Sequence, residues 1–394
     1  MNILYLSDIR FPLERANGIQ TMETCYALAA RGHYVQLVVR PDTCVPARNP
    51  FDFYGLAYTS RLVFDYAPVI GSPIVRRAMY LAYVIEHLLD SQQWSMLFTR
   101  DLGVAATALK FPSPLRAPIV YESHGYAPVF AETLGELVSG KTSGSSRKVR
   151  RLEKRERCVW QRADGYVATT QLLVDELTRR FGTRERLVTL GNATHIKSAS
   201  SPESATVSEP PIAVYAGHFY EWKGVDVFLE ALALVPGVRG LLVGGHPGDH
   251  DEARLRTLVH SLGIDDRVTF TGLVPRVEVD RLVRSATVCV VPTVDTPSAR
   301  YTSPLKLFEY MACGRPVIIS DLPPVREVVE DEQTALLVPP GDVGKLAAAL
   351  RRLLGDKVLA DRITRSASEV VSKYSWEQRA ETLEDLFQSV VNSG

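Results

Sequence analysis

The residues with most capacity for chemistry lie in one stretch, Ser303-Pro-Leu-Lys-Leu-Phe-Glu-Tyr-Met-Ala-Cys-Gly-Arg-Pro-Val-Ile-Ile-Ser-Asp321. A short loop runs into a helical pattern that carries Glu309. Gly314 stops that pattern, and an apolar run ends at Asp321. The first N–H groups of a helix have no acceptor of their own and attract an anion such as a phosphate. A single carboxylate about a turn into the helix suits the paired hydroxyls of a ribose. A nucleoside diphosphate is therefore the first ligand to weigh. A second stretch, Gly217-His-Phe-Tyr-Glu-Trp-Lys-Gly224, repeats the theme of strand, glycine turn, cation and helix start, which together make an anion cradle. Lys223 supplies the cation of that cradle. His218 donates a hydrogen bond when neutral and adds a charge when protonated.

Two further strand ends carry glycines, Val243-Gly-Gly-His246 and Val268-Thr-Phe-Thr-Gly-Leu-Val274. Gly244 and Gly245 admit a close backbone approach; for Gly245 a tight turn explains the glycine equally well. In the N-terminal half, Tyr121-Glu-Ser-His-Gly-Tyr126 places His124 at a strand end, with Glu122 as a candidate orienting partner. The Arg100-Asp101 pair stands open between lining an acceptor and forming a structural ion pair. The run Arg147–Arg157 is rich in cations. It reads either as a solvated helical face or as a dock for anionic lipid.

Something must position these groups. The 394 residues are enough for two cores, and the composition is that of a globular protein. Acidic and basic residues balance at 45 each, so bulk charge does not point to nucleic acid. The five cysteines form no metal-binding or disulfide pattern, and no apolar run reaches the length of a membrane span. Met1-Asn-Ile-Leu-Tyr-Leu-Ser reads as a strand rather than a signal segment, so a cytoplasmic protein is expected. Residues 2–7, 34–40, 95–99, 118–122, 165–169 and 187–189 read as strands alternating with helical patterns. A loop carries Asn17-Gly18 before a helix over 21–31. A polar run over 197–210 reads as a linker. A second series of strands then begins, at 212–216, 240–243, 268–271, 288–292 and 316–320. The expected architecture is α/β: two doubly wound parallel-sheet domains, residues 1–196 and 211–374, facing a cleft, with a helix over 375–394.

The 303–321 segment resembles the donor-site signature of GT-B fold glycosyltransferases, in particular glycosyltransferase family 4, and the resemblance extends over nearly the whole chain. It implies two Rossmann-like domains, an N-terminal one for the acceptor and a C-terminal one for the nucleotide sugar, with the last helix crossing back to the first. By the same resemblance Ser303, Pro304 and Leu305 face the diphosphate and Glu309 binds the ribose. Lys223, Gly217 and Gly244 line the phosphate side, and Thr271, Gly272, Leu273 and Val274 frame the base. Gly18 lies in a loop closing over donor and acceptor, and His124 lies near the donor sugar. Asn192-Ala193 stands where relatives have an Asn-Gly hinge. Two departures stand out. His218 replaces an arginine, and Tyr301, eight positions before Glu309, replaces a second glutamate. Sugar recognition at that corner is left to the Tyr301 hydroxyl, Thr302 or Asp295.

The implied activity is transfer of a sugar, with retention, from a UDP- or GDP-sugar to an acceptor hydroxyl. The acceptor is a saccharide, a lipid-linked molecule or a small molecule, as in polysaccharide, glycolipid or natural-product biosynthesis. His124, Lys223 and Glu309 are the catalytic candidates. No Asp-x-Asp metal site is present, so neither a tightly bound metal nor a cofactor is expected. The expected partners are the donor, the acceptor and, through 147–157, the inner face of a membrane, but no nucleic acid. The rival readings are a nucleotide-sugar epimerase on the same architecture and a non-catalytic nucleotide-sugar-binding protein. The absence of a Gly-x-Gly-x-x-Gly fingerprint at Asn17-Gly18-Ile19 counts against a dehydrogenase.

Overall fold

The structure, a computed structural model, describes residues 1–90, 93–139, 146–196, 210–245 and 250–392. His246 and most of the expected linker lie outside the described residues. The chain divides into two units, Met1–Gly191 with Trp376–Gly394, and Asn192–Ser375. The first unit contains β1 (Asn2–Arg10), α1 (Ala16–Ala30), β2 (Tyr34–Arg40), α2 (Pro50–Tyr54), β3 (Leu62–Tyr66), α3 (Pro73–Leu89) and β4 (Met96–Thr99). It continues with α4 (Leu102–Ala108), β5 (Ile119–Ser123), α5 (Ala127–Ser139), α6 (Ser146–Arg162), β6 (Gly165–Ala168), α7 (Gln171–Phe181) and β7 (Leu187–Thr189). The second contains β8 (Ile212–Ala216), α8 (Val225–Ala233), β9 (Arg239–Val243), α9 (His250–Ser261), β10 (Val268–Phe270), α10 (Arg276–Ser285) and β11 (Val288–Val291). It ends with α11 (Leu305–Ala312), β12 (Val317–Ser320), α12 (Pro323–Arg326), β13 (Leu336–Val338), α13 (Val343–Gly355) and α14 (Lys357–Val371). The last helix, α15 (Trp376–Val391), belongs to the first unit.

Each unit is built on a parallel sheet, ordered β3-β2-β1-β4-β5-β6-β7 in the first and β10-β9-β8-β11-β12-β13 in the second. Helices on both faces explain why the central strands read as unbroken apolar runs: Ile3, Leu4, Tyr5 and Leu6 are all fully buried. In each sheet the strand order reverses once, between β1 and β4 and between β8 and β11. Open α/β sheets leave a crevice at the carboxyl ends of the strands at that point, which is where ligands bind.

The structure differs from the sequence reading in several places. Asn17 and Gly18 are not in a loop but in the first turn of α1, which begins at Ala16. Gly18 is needed there for a close approach, since a Cβ would lie 2.3 Å from the Leu13 carbonyl oxygen and 2.6 Å from the Tyr54 hydroxyl. Strands β3 and β13 were not anticipated; both are edge strands of three to five residues, and β3 is mostly unburied. The motifs also give no sign of α13 and α14, although Leu346, Ala347, Leu350 and Leu353 bury one face of α13.

Helix α15 is locked to the first unit by one buried ion pair. The Arg379 guanidinium, on a residue 3% exposed, donates to Glu122 Oε1 at 2.7 Å. It also donates to Thr24 Oγ1 at 3.0 Å and to the Gly191 carbonyl at 3.1 Å. Phe387 of the same helix packs edge-on to Phe98 of β4, with ring centroids 5.2 Å apart. Removing one partner of a buried pair strands the other charge, at a cost of about 3–5 kcal/mol. R379A is therefore expected to destabilise the first unit by about that amount, and adding E122Q to recover part of the loss. Urea unfolding of the three proteins checks this; equal losses in R379A and the double variant would contradict it.

Candidate active site

At the carboxyl end of β5 in the first unit, Glu122 is fully buried and its Oε1 accepts three bonds. They come from Gln20 Nε2 at 2.6 Å, Arg379 at 2.7 Å and His124 Nε2 at 2.5 Å. Burial alone would raise the Glu122 pKa, but Arg379 and His124 together hold it well below the usual carboxylate range. An ionised carboxylate only accepts, so the His124 proton sits on Nε2 and Nδ1 carries a lone pair. Burial and the nearby Arg100 push the His124 imidazole down to about 4 against the pull of Glu122. With 22% of its side chain exposed, His124 is at neutral pH an uncharged acceptor at the strand end. Arg100 reaches Gln20 Oε1 at 2.5 Å and so joins the same cluster. Asp101 does not pair with Arg100. It caps α4 through the Gly103 and Val104 N–H groups and binds Arg77 at 2.7 and 2.8 Å.

In the second unit the loops after β8, β9 and β10 are tied together. The Gly217 N–H donates to the Val243 carbonyl at 2.7 Å, and the Gly244 N–H to the Gly272 carbonyl at 3.0 Å. Thr271 Oγ1 donates to that same Gly272 carbonyl at 2.8 Å, so the turn expected to frame a base is fixed by its own hydroxyl. Leu273 is exposed and Val274 packs on the core. Across the switch point, α11 begins at Leu305 behind Pro304, with no side-chain cap. Ser303 is buried. Its Oγ accepts from the Asn192 N–H at 3.1 Å and its carbonyl from the Asn192 amide at 2.7 Å, so Asn192 anchors the loop before α11. Thr302 Oγ1 donates to the Ser298 carbonyl at 2.9 Å, and Tyr301 ends a 3-10 turn. Asp295 pairs with Arg300 at 2.8 Å.

Glu309 lies in the second turn of α11, 17% exposed, and meets Arg276 at 2.6 Å. Arg276 is the first residue of α10, with Pro275 between it and the turn at Thr271–Val274. Lys223 precedes α8, and burial depresses its ammonium. Lys306, the second residue of α11, reaches back to the glycine turn: a Cβ on Gly217 would lie 2.5 Å from both its Cε and its Nζ. Gly217 has φ 142°, so the turn needs glycine on both counts. The His218 ring stacks on Tyr220 at 5.3 Å and Tyr220 on Trp222 at 4.6 Å.

Within the second unit, then, Gly217, Lys223, Ser303 and Glu309 gather around one switch point, and Lys306 and Arg276 join them. Sequence reasoning missed the last two. For Lys306 a signal existed, because it stands three residues before Glu309 and so shares its helix face. Arg276 gave none; only the tertiary fold brings it to Glu309. Among the described residues no cluster of three His, Cys, Asp or Glu side chains is arranged to hold a metal ion.

The fold defines the class: two doubly wound parallel units of GT-B type. Residues 18–193 match the family model described as Glycosyl transferase 4-like domain, and residues 210–356 match the one described as Glycosyl transferases group 1. Each half of the chain thus matches a glycosyl transferase family model over most of its own length. A phosphatidyl-myo-inositol mannosyltransferase of Mycobacterium leprae is 31% identical over 236 residues, 57% of this chain and 60% of that protein. The chain spans about half the length of the curated relatives it matches. Among solved structures, a sucrose-phosphate synthase from Thermosynechococcus elongatus superposes with a TM-score of 0.77 at 22% identity over 100% of both chains. HepE of Anabaena in complex with UDP-glucose gives 0.73 at 18% identity, over 99% of this chain and 100% of that one. At these identities the likeness establishes the fold.

A depressed histidine stabilises the fold above its unfolded pKa, and that contribution fades as pH falls from about 6.5 to about 4. The His124 ring is expected to show the Nε2-protonated neutral form by NMR at pH 7 and to titrate near pH 4. A midpoint close to 6.5, or a charged ring at pH 6, contradicts this geometry.

Proposed function

We propose that this chain is a glycosyltransferase that moves a sugar from a nucleoside diphosphate sugar to an acceptor hydroxyl, with retention at the anomeric carbon. The observation that carries the reading is the second switch point. There an ammonium group, Lys223, an uncapped helix start at Leu305 and the Arg276-held carboxylate of Glu309 surround one glycine turn. The matches to glycosyl transferase family models and the likeness to a UDP-glucose complex support it.

In this reading the diphosphate lies against the first N–H groups of α11 and Lys223, and the ribose diol donates to Glu309. Arg276, paired with that carboxylate at 2.6 Å, holds it in place. As the bond from the anomeric carbon to the phosphate oxygen breaks, charge gathers on the diphosphate, where fixed dipoles and the Lys223 ammonium stabilise it. The new bond forms to the acceptor oxygen, whose proton passes to an oxygen of the departing diphosphate. His124 accepts a hydrogen bond from a sugar hydroxyl through Nδ1, with its ring set by Glu122. The acceptor is a saccharide, a lipid-linked molecule or a small hydroxylated compound.

A peripheral membrane contact also belongs to this reading. Helix α6 exposes Arg147, Arg150, Arg151 and Lys154, and α4 joins it to α3, whose Ile74 and Leu89 are 83% and 69% exposed. Exposed cations together with exposed apolar side chains suit an anionic lipid surface. No described helix is long and apolar enough to cross a membrane.

Two outcomes are expected. UDP or GDP at about a hundred times its Kd raises the unfolding midpoint by a few degrees, and K223M binds the same nucleotide about tenfold or more weakly by calorimetry. No shift with UDP, GDP, dTDP or ADP in a folded sample ends the donor-site reading. For the membrane, the chain is expected to float with vesicles containing phosphatidylglycerol but not with neutral ones, and to lose this when Arg147, Arg150, Arg151 and Lys154 become Gln. Equal behaviour with both vesicles ends that part.

A further inference from the structure

Lys306 is a cation with no counter-charge of its own. It sits at the second position of α11, where a long side chain turns back toward the helix N-terminus. That direction brings Nζ over the Gly217 turn, to the one place where a glycine leaves room for it. Three elements face the ammonium. From β8 comes Tyr215, whose ring lies 5.2 Å below Nζ and whose hydroxyl donates to the His218 carbonyl at 2.7 Å. From the loop before α8 comes the like charge of Lys223. From its own helix comes Glu309, but that carboxylate is held by Arg276 at 2.6 Å. Among the described residues neither Lys306 nor Lys223 forms an ion pair. Two neighbouring ammonium groups in a partly dried site repel each other and lose hydration, and only an anion placed between them repairs both losses. The free N–H groups of the same helix start point to the same anion.

We infer that Lys306 grips the diphosphate of the donor together with Lys223, a second binding cation supplied by α11 rather than by the loop after β8. The inference rests on the donor-site reading above and adds a residue to it. Position 218, the natural place for a cation on that loop, holds an imidazole engaged in the stack with Tyr220. Proton linkage follows. Burial, then Lys223, lower the Lys306 ammonium to about 7 in the free protein, with Glu309 opposing. A bound diphosphate raises it again. Below about pH 7 Lys306 is already charged and contributes no pH dependence. Above it, binding must take up a proton, and affinity falls by as much as tenfold per pH unit.

The test is calorimetric titration of the full chain with UDP, GDP, dTDP and ADP at pH 6.5, 7.5 and 8.5, in two buffers of different ionisation enthalpy. Wild type, K306M and K306R are compared. The wild type is expected to take up a fraction of a proton at pH 7.5. K306M is expected to bind the preferred nucleotide about ten- to a hundredfold more weakly at pH 6.5, with no proton uptake at 306. K306R stays charged, so the ratio of wild-type to K306R Kd grows from pH 6.5 to 8.5, and the nucleotide's own ionisation cancels in that ratio. Because K306M removes a repelled cation, its unligated unfolding midpoint is expected to be no lower than that of wild type, which separates lost binding from misfolding. Unchanged affinity in K306M, or a flat ratio, overturns the role of Lys306 and leaves the donor site standing. Failure of the wild type to bind any of the four nucleotides overturns the donor-site reading and this inference together.

Discussion

Charge withdrawn from water must be answered by opposite charge, and the two units answer it in different ways. In the first unit the answer is internal. The ionised Glu122, without exposed surface, is met by Arg379 from the far end of the chain, by Gln20 from α1 and by His124. In the second unit burial, then Lys223, lower the Lys306 ammonium, and among the described residues neither lysine forms an ion pair. The first arrangement is closed on itself; the second is not.

The finished cluster still has a functional face. Because Glu122 only accepts, it dictates which nitrogen of His124 holds the proton, and burial beside Arg100 keeps the ring neutral. A strand end that could have offered a cation offers a lone pair instead. The same carboxylate anchors α15, so the orientation of a site residue and the attachment of the last helix depend on one buried oxygen. Asp101, adjacent to Arg100 in sequence, serves a separate purpose by capping α4 and binding Arg77.

In the second unit the departures from the family pattern become intelligible together. Where relatives have an arginine at position 218, an imidazole stacks on Tyr220, and a lysine on the facing helix reaches the same turn. Charge is displaced from loop to helix rather than removed. Moving it also places it against Lys223, which makes it sensitive to pH in a way an arginine is not. Near Tyr301 no such replacement is visible: Asp295 is bound to Arg300 and Thr302 to a backbone carbonyl.

Much of this was legible in the chain. Buried parallel strands write themselves as apolar runs, so β2 and β8 match their sequence reading residue for residue. The local frames around Glu309, Lys223 and Gly217 were legible because loop, glycine and helix start follow one another along the backbone. Edge strand β3 was missed, since it is mostly unburied and carries no long apolar run. Gly18 read as loop because glycine usually means a turn, whereas here the chain packs a carbonyl and a phenol against a helix. What tertiary structure alone decided are the pairings between distant residues: Arg379 with Glu122, Arg276 with Glu309, Lys306 with the turn at Gly217. The sequence determines which charges exist and which local frames hold them. Which charges neutralise one another, and which are left for a ligand, depends on distances that exist only after the sheets have formed, because electrostatic attraction acts through space and not along the chain.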